Sequence, residues 1–478
     1  MNVIGKKILG TWAQLGPRFL PFAEAASATL PLSRLLRLSL FQVSVGMALV
    51  LLIGTLNRVM IVELKVPASL VAVMIALPVL FAPLRALVGF RSDTHRSALG
   101  WRRVPFIWKG TLIQFGGLAI MPFALLVLSG GGNASHWPAW VGHLGAGLAF
   151  LLVGAGVHTI QTAGLALATD LTPVETQPQV VGLMYVALLF GMIVSALIFG
   201  AMLEDFSPAR LIQVIQGSAV ATIALNIVAL WKQETRRPSH REAHAAQPRF
   251  SETWARFSRG HHALRRLLSV GLGTLAFSMQ DVLLEPYGGQ ILGLTVGTTT
   301  KLTATLAIGG LMGFALASKV LSRGADPFRM ACAGALLGVP AFAAVIASAP
   351  LQAPMLFAFG AWLIGFGGGL FGHGTLTATM NQAPREQVGL ALGVWGAVQA
   401  TAAGIGMALG GVMRDIIDNL AAQQPAVAAL LASLSTALAG PAAAYNLVYG
   451  LEMVLLLATV AAMLPLLRRG AAALASST

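Results

Sequence analysis

The segment SMQDVLLEPYGGQ, residues 278–290, sets Asp281 and Glu285 four positions apart in a run otherwise free of charge. Side chains at i and i+4 share a helix face, so both carboxyls are expected to point at one neighbour. The run LLIGTLNRVMIVEL carries a cation in similar surroundings, Arg58, directly after Asn57. Laying TLNRVMIVEL over SMQDVLLEPY places Asn57 on Gln280 and Arg58 on Asp281. An unpaired charge in an apolar interior costs several kcal/mol, so the overlay predicts an Arg58–Asp281 ion pair, with Glu285 a second partner of Arg58 or a free ligand. Three chemistries suit such a constellation: a structural lock or gate, a proton-coupled transport site, and a site where a carboxylate or Gln280 approaches Mg²⁺, a hard ion that favours oxygen.

Other candidate ligands inside apolar runs are His143, His158, Gln161 and His373, with His158 and His373 at comparable points of the fourth and tenth helices. A single interior histidine is more commonly a hydrogen-bonded core residue than a ligand. The patterns HExxH, CxxC, GxSxG and the EF-hand loop are missing, and Asp415 and Asp418 are too few for the acidic clusters that bind Mg-diphosphate in prenyl transfer. The expectation is a protein that is not an enzyme and holds no metal of its own. The one cysteine, Cys332, leaves no internal disulfide framework or cysteine cluster.

The elements that must position these residues are apolar helices. The 478-residue chain is 56% hydrophobic and 10% charged, with mean hydropathy +0.78. A soluble domain is nearer one-quarter charged. Apolar runs of the ~20 residues needed to cross a bilayer recur along it, without the dyad alternation of a membrane barrel. Twelve spans are expected, starting near residues 38, 68, 104, 140, 180, 209, 267, 299, 329, 354, 388 and 446. The formal charge of +14 does not indicate nucleic acid, because nearly all of the Lys and Arg residues fall in every second loop. That bias places both termini in the cytoplasm. Residues 1–36 read as a basic amphipathic segment on the cytoplasmic leaflet and 37–231 as a six-helix half. Residues 232–266 read as a polar linker able to meet anionic lipid, 267–469 as a second half, and 470–478 as a tail.

The halves repeat one another. SVGMALVLLIGTLNRVMIVEL lies over SVGLGTLAFSMQDVLLEPYGG, and PVETQPQVVGLMYVALLFG over NQAPREQVGLALGVWGAVQ. Two parallel six-helix repeats define an all-α membrane protein of the major facilitator architecture. The loop GFRSDTHRSALGWRRV supplies Gly89, Asp93, Gly100, Arg102 and Arg103, resembling the facilitator motif between helices two and three. Its spacing is longer than the usual form, which argues against an ordinary sugar or drug porter.

Four blocks, LFQVSVGMALVLLIGTLNRVMIVEL, ALPVLFAPLRALVGFRSDTHRSALGWRRVPFIWKG, TDLTPVETQPQVVGLMY and MQDVLLEPYGG, resemble the PucC/LhaA family, the bacteriochlorophyll-delivery branch of the facilitators in purple phototrophic bacteria. The resemblance runs from about residue 30 to the twelfth helix. It implies an assembly factor for light-harvesting antenna, of the core LH1 type in preference to the peripheral LH2 type, in the bacterial inner, intracytoplasmic membrane. Bacteriochlorophyll is then the cargo and the antenna α and β polypeptides are the clients, with a pigment synthase and a membrane insertase as further partners. The candidate pigment ligands are His158, Gln161 and His373. The rival expectation is a proton-coupled transporter of a small solute or pigment precursor.

Overall fold

A computed structural model describes residues 31–78, 88, 92, 101–130, 134, 136–173, 176–234, 263–382, 388–426, 429 and 440–475. Among the described residues eleven helices are long and apolar enough to cross a membrane, and the second span is described from its start. In chain order they are α1 (Leu32–Glu63), α2 (Ala68–Ala76), α3 (Val104–Leu128), α4 (Ala139–Asp170), α5 (Gln177–Met202) and α6 (Pro208–Leu230). The second half has α7 (Leu264–Gln290), α8 (Val296–Leu321), α9 (Pro327–Ser348), α10 (Pro354–Gln382), α11 (Val388–Gln423) and α12 (Ala443–Ala475).

Local sequence sets several helix starts. Proline opens the first turn of α3, α5, α6 and α9, where a missing amide hydrogen costs nothing. Ser207, Thr295 and Asp326 cap α6, α8 and α9 through side-chain oxygens. The start of α3 is capped from a distance: Glu234, just beyond α6, accepts the backbone amides of Arg102, Arg103 and Val104.

Helix α1 begins at Leu32, earlier than the boundary expected at residue 37, and buries Leu35 and Leu38. The arginines there suggest a surface segment. Arg34 instead donates through Nη2 to the Gln233 carbonyl at 2.5 Å and through Nε to Gln233 Oε1 at 3.1 Å, tying the start of α1 to the turn that follows α6. At the other end of the chain, α12 runs on to Ala475, into the expected tail.

One apolar core is formed mainly by α1–α6 and a second by α7–α12. The halves meet along α2 against α11 and α5 against α8. The α5–α8 seam is close because it is built on glycine. A Cβ on Gly297 would lie 2.6 Å from the Gly200 carbonyl, and Lys301 on the same seam pairs with Glu204.

Two helices depart from regular α geometry at one level. Helix α1 widens to π-helix over Val50–Leu56 and Val59–Glu63, while α7 tightens to a 3₁₀ turn at Met279–Val282 and resumes as α-helix at Leu284–Gln290. Such irregular turns rotate the side chains that follow them out of the i, i+4 register.

Candidate functional site

Helix α1 meets α7 at Asn57, two residues along α7 from the Gln280 on which the overlay sets it, and meets α8 at Thr55. Asn57 Nδ2 donates to the Val282 carbonyl at 2.8 Å, and the hydroxyls of Thr55 and Thr300 lie 3.4 Å apart. The expected Arg58–Asp281 pair does not form. Arg58 Nη1 pairs with Glu63 Oε1 at 2.5 Å on its own helix, and Nη2 donates to the Leu294 carbonyl at 3.1 Å. The overlay comes within two residues in depth, and azimuth defeats it. Asn57 faces α7, so the next residue projects about 100° further round the helix. Gly289 makes room for the guanidinium, since a Cβ there would lie 2.9 Å from Nη2.

The two acids of α7 also part company. With a 3₁₀ turn and a break at Leu283 between them, Asp281 and Glu285 do not share one neighbour. Glu285 is buried, accepts the Thr303 hydroxyl on α8 and rests against Gly54 of α1. Its Oε2 has no hydrogen-bond partner. Asp281 faces the other way, onto a cavity.

That cavity, of about 300 Å³, lies between α5, α7, α8, α10 and α11. Gln280, Asp281, His373, Trp395 and Gln399 contribute its polar groups and Phe277 and Phe314 its aromatic faces. Gln280 Nε2 donates to Asp281 Oδ1 at 2.5 Å, while Gln280 Oε1 is buried without a partner. The His373 ring packs on Phe314, centroids 4.2 Å apart, and its buried Nδ1 makes no hydrogen bond. The wall of α10 beside it is flat. Gly368 and Gly372 both line the cavity, and a Cβ on Gly372 would meet nothing within 4 Å.

Of the residues expected from sequence to bind pigment, His373 therefore joins Gln280 and Asp281 at one cavity. His158 and Gln161 sit on α4 and do not line it. Gln399 and Trp395 were not anticipated, nor was Glu452, a fully buried acid on α12. The signal for Glu452 was present as a single acid in YGLEMVLLL, the same signature that marked Asp281. Among the described residues no three His, Cys, Asp or Glu side chains gather to hold a metal.

In the facilitator loop, Gly89, Asp93 and Gly100 lie outside the described residues. Arg103 is buried and joins three elements: it opens α3, donates through Nε to Asp170 Oδ2 of α4 at 2.9 Å, and through Nη1 to Ser92 Oγ at 2.6 Å. Arg102 lends its backbone amide to Glu234. Because Asp170 is 40% exposed, water replaces part of what the ion pair gives. Arg103→Gln is expected to cost about 1–2 kcal/mol, read as a lower midpoint of thermal unfolding in detergent. Asp170→Asn should cost less than Arg103→Gln, and the reverse order would show that Ser92 and Asp170 are not what hold Arg103.

Two six-helix halves, with a largely apolar cavity bordered by α5 of the first and α7, α8, α10 and α11 of the second, give the major facilitator fold of a multi-pass membrane protein. Solved structures agree: a bacterial homologue of the lysosomal transporter Spinster, inward-facing and unoccupied, superposes with TM-score 0.65 at 14% identity over 90% of this chain and 95% of that one. The peptide transporter PepTSo of the POT family superposes with TM-score 0.63 at 12% identity, over 90% and 97%. Within that class the chain belongs to the PUCC protein family, which matches residues 55–471. It is 66% identical to Protein PucC of Rhodovulum sulfidophilum over 87% of this chain and 92% of that one. It is 58% identical to Protein PucC of Cereibacter sphaeroides over 96% and 97%. A more distant relative, 29% identical over 81% of this chain and 89% of that one, is the "Bacteriochlorophyll synthase 44.5 kDa chain" of Rhodobacter capsulatus.

Proposed function

We propose that the protein is a non-catalytic assembly factor for bacterial light-harvesting antenna that seats a bacteriochlorophyll at the α7–α10 cavity and hands it to antenna α and β polypeptides. The observation that carries this reading is the flat glycine wall at Gly368 and Gly372 ending on His373, opposite Gln280 and Asp281. A macrocycle needs a planar slot, apolar faces and one axial donor for its Mg²⁺, and this wall offers all three. At about 300 Å³ the cavity is at the lower end of the ~300–1,000 Å³ of ligand sites, room for part of the ring but not for the hydrocarbon tail as well. The tail is then left to run outward between helices. A relative whose printed name contains bacteriochlorophyll supports the class of cargo.

The preference for the core LH1 antenna over the peripheral LH2 antenna rests on the sequence resemblance alone. The bacterial inner membrane is proposed on the sequence resemblance, and both termini are proposed to be cytoplasmic on the charge bias of the loops. A pigment synthase, a membrane insertase and anionic lipids remain proposed partners on the same footing.

The test is an absorption spectrum of the affinity-purified protein, with its co-purifying peptides identified. Pigment absorbance and antenna polypeptides should accompany the native chain, and His373→Leu should lose at least tenfold of the pigment while still accumulating in the membrane. A colourless preparation showing proton-linked uptake of a solute would favour the rival reading, a secondary transporter. Full retention of pigment by His373→Leu would remove the axial role.

A further inference from the structure

Helices from both halves meet at Glu285, and the polar groups they bring together are oxygens. Glu285 of α7 is 4% exposed, and its carboxyl accepts the hydroxyl of Thr303 on α8. The same carboxyl lies against α1, where a Cβ on Gly54 would stand 2.5 Å from Oε1 and 3.0 Å from the Thr303 hydroxyl. Thr55, the next residue of α1, and Thr300, one turn before Thr303 on α8, add two fully buried hydroxyls. Oε2 of Glu285 is buried without a hydrogen-bond partner.

A threonine inside a helix ordinarily gives its proton to the carbonyl three or four residues earlier, as Thr299 and Thr305 do on α8. Among the described residues Thr55, Thr300 and Thr303 turn to the junction instead. The Thr55 and Thr300 hydroxyls lie 3.4 Å apart, long against the usual ~2.7–2.8 Å of a hydroxyl pair. An ion of the size of Ca²⁺ binds oxygen at about 2.3–2.6 Å, so two ligands at right angles stand about 3.3–3.7 Å apart, and the threonine pair fits that edge. The backbone here is irregular on two sides. The π-widened segment of α1 contains Gly54 and Thr55, and α7 breaks at Leu283, two residues before Glu285. Irregular turns of this kind are frequent at functional sites.

The Arg58 guanidinium does not serve Glu285. It lies against Gly289, one turn further along α7, and is held by Glu63 and the Leu294 carbonyl. A carboxylate sealed in a low-dielectric interior needs a counter-charge, and one acid balances one positive charge. Carboxylate and hydroxyl oxygens suit a hard cation.

We propose that Glu285, Thr55, Thr300 and Thr303 form a binding site for a monovalent cation of sodium size at the junction of α1, α7 and α8. Because α1 belongs to one half and α7 and α8 to the other, a bound ion ties the halves together at this level and stabilises that arrangement. The site also adjoins the cavity. Asp281 precedes Glu285 by four residues and Leu306 follows Thr303 by three, and both line it. Ion and cavity occupant therefore share two helices, whatever the chemistry of the occupant. The site does not depend on the cargo being a pigment.

The experiment is equilibrium binding of ²²Na⁺ to the full-length purified protein in detergent, at constant ionic strength set with choline chloride. Saturable binding is expected, displaced by unlabelled Na⁺ and Li⁺ and not by choline, and raising the midpoint of thermal unfolding. Glu285→Gln should weaken it about tenfold or more, while Asp205→Asn, at an exposed acid, should bind as the native chain does. Thr55→Val and Thr300→Val keep the side-chain shape and should each weaken it. No saturable binding by the native chain overturns the proposal, and that measurement needs no variant to fold. Native affinity in Glu285→Gln, or in both valine variants, overturns it as well, and displacement by Ca²⁺ in preference to Li⁺ refutes a monovalent site. The pigment reading stands or falls separately, on the His373→Leu spectrum.

Discussion

Glu63→Gln should lower the stability of the folded protein by about 3 kcal/mol, far more than its position at the last turn of α1 suggests. The Arg58 side chain that it pairs with is 4% exposed, against 37% for Glu63. Removing the acid leaves a buried guanidinium with the Leu294 carbonyl as its remaining hydrogen-bond partner. Breaking a buried pair from one side typically costs about 3–5 kcal/mol, and the exposure of Glu63 puts this case at the low end. Arg58→Gln should cost less, about 1–2 kcal/mol, because the acid left behind can be hydrated. The double variant should then resemble Arg58→Gln alone, giving a coupling of about 3 kcal/mol between positions 58 and 63. Positions 58 and 281 should instead be additive within about 0.5 kcal/mol. Unfolding midpoints of the four proteins in each cycle measure both couplings. Strong coupling of Arg58 to Asp281 and none to Glu63 would restore the pairing that the overlay predicts and refute the one described here.

The seam between α8 and α10 should be the least tolerant place in the molecule. A Cβ on Gly309 would lie 2.0 Å from the Trp362 carbonyl, and one on Gly365 would lie 1.9 Å from the Leu306 carbonyl. Both obstacles are backbone, so neither side chain rotation nor a small local shift relieves them. Gly309→Ala or Gly365→Ala must push the helices apart, with an overpacking cost at or above the usual ~1–3 kcal/mol. One separation of the helices accommodates either methyl, so the double variant should cost clearly less than the sum of the singles. The cavity borders this seam through Gly310, Gly365 and Gly369, so its occupant should be lost together with stability. In contrast Gly372→Ala, with nothing within 4 Å of the new methyl, should leave stability unchanged and alter only what the cavity binds. Additive effects at 309 and 365, or a stability loss at 372 as large as theirs, would contradict the described packing.

What the sequence determined by itself was the set of properties that depend on local composition and period. Apolar runs of spanning length have one stable solution in lipid, because every backbone amide must be satisfied within the segment. Twelve expected starts consequently lie within about six residues of the observed ones, from Ala68 of α2 and Val104 of α3 to Val388 of α11. The two-half organisation was legible as repeated sequence, whereas the overlay of Asn57 on Gln280 did not name Val282, whose carbonyl Asn57 meets. The family was legible in four blocks. The tertiary structure alone decided direction. A π-widened α1 and a 3₁₀ turn in α7 rotate Arg58 toward Glu63 and turn Asp281 from Glu285 toward the cavity, and no one-dimensional alignment carries azimuth through an irregular turn. It also decided company: His373 rather than His158 or Gln161 reaches the cavity, and Glu452, one acid in a leucine-rich run, is fully buried where α12 packs on α7, α9 and α11. A charge inside an apolar helix is visible in sequence, but its partner is set by packing between helices that lie far apart in the chain.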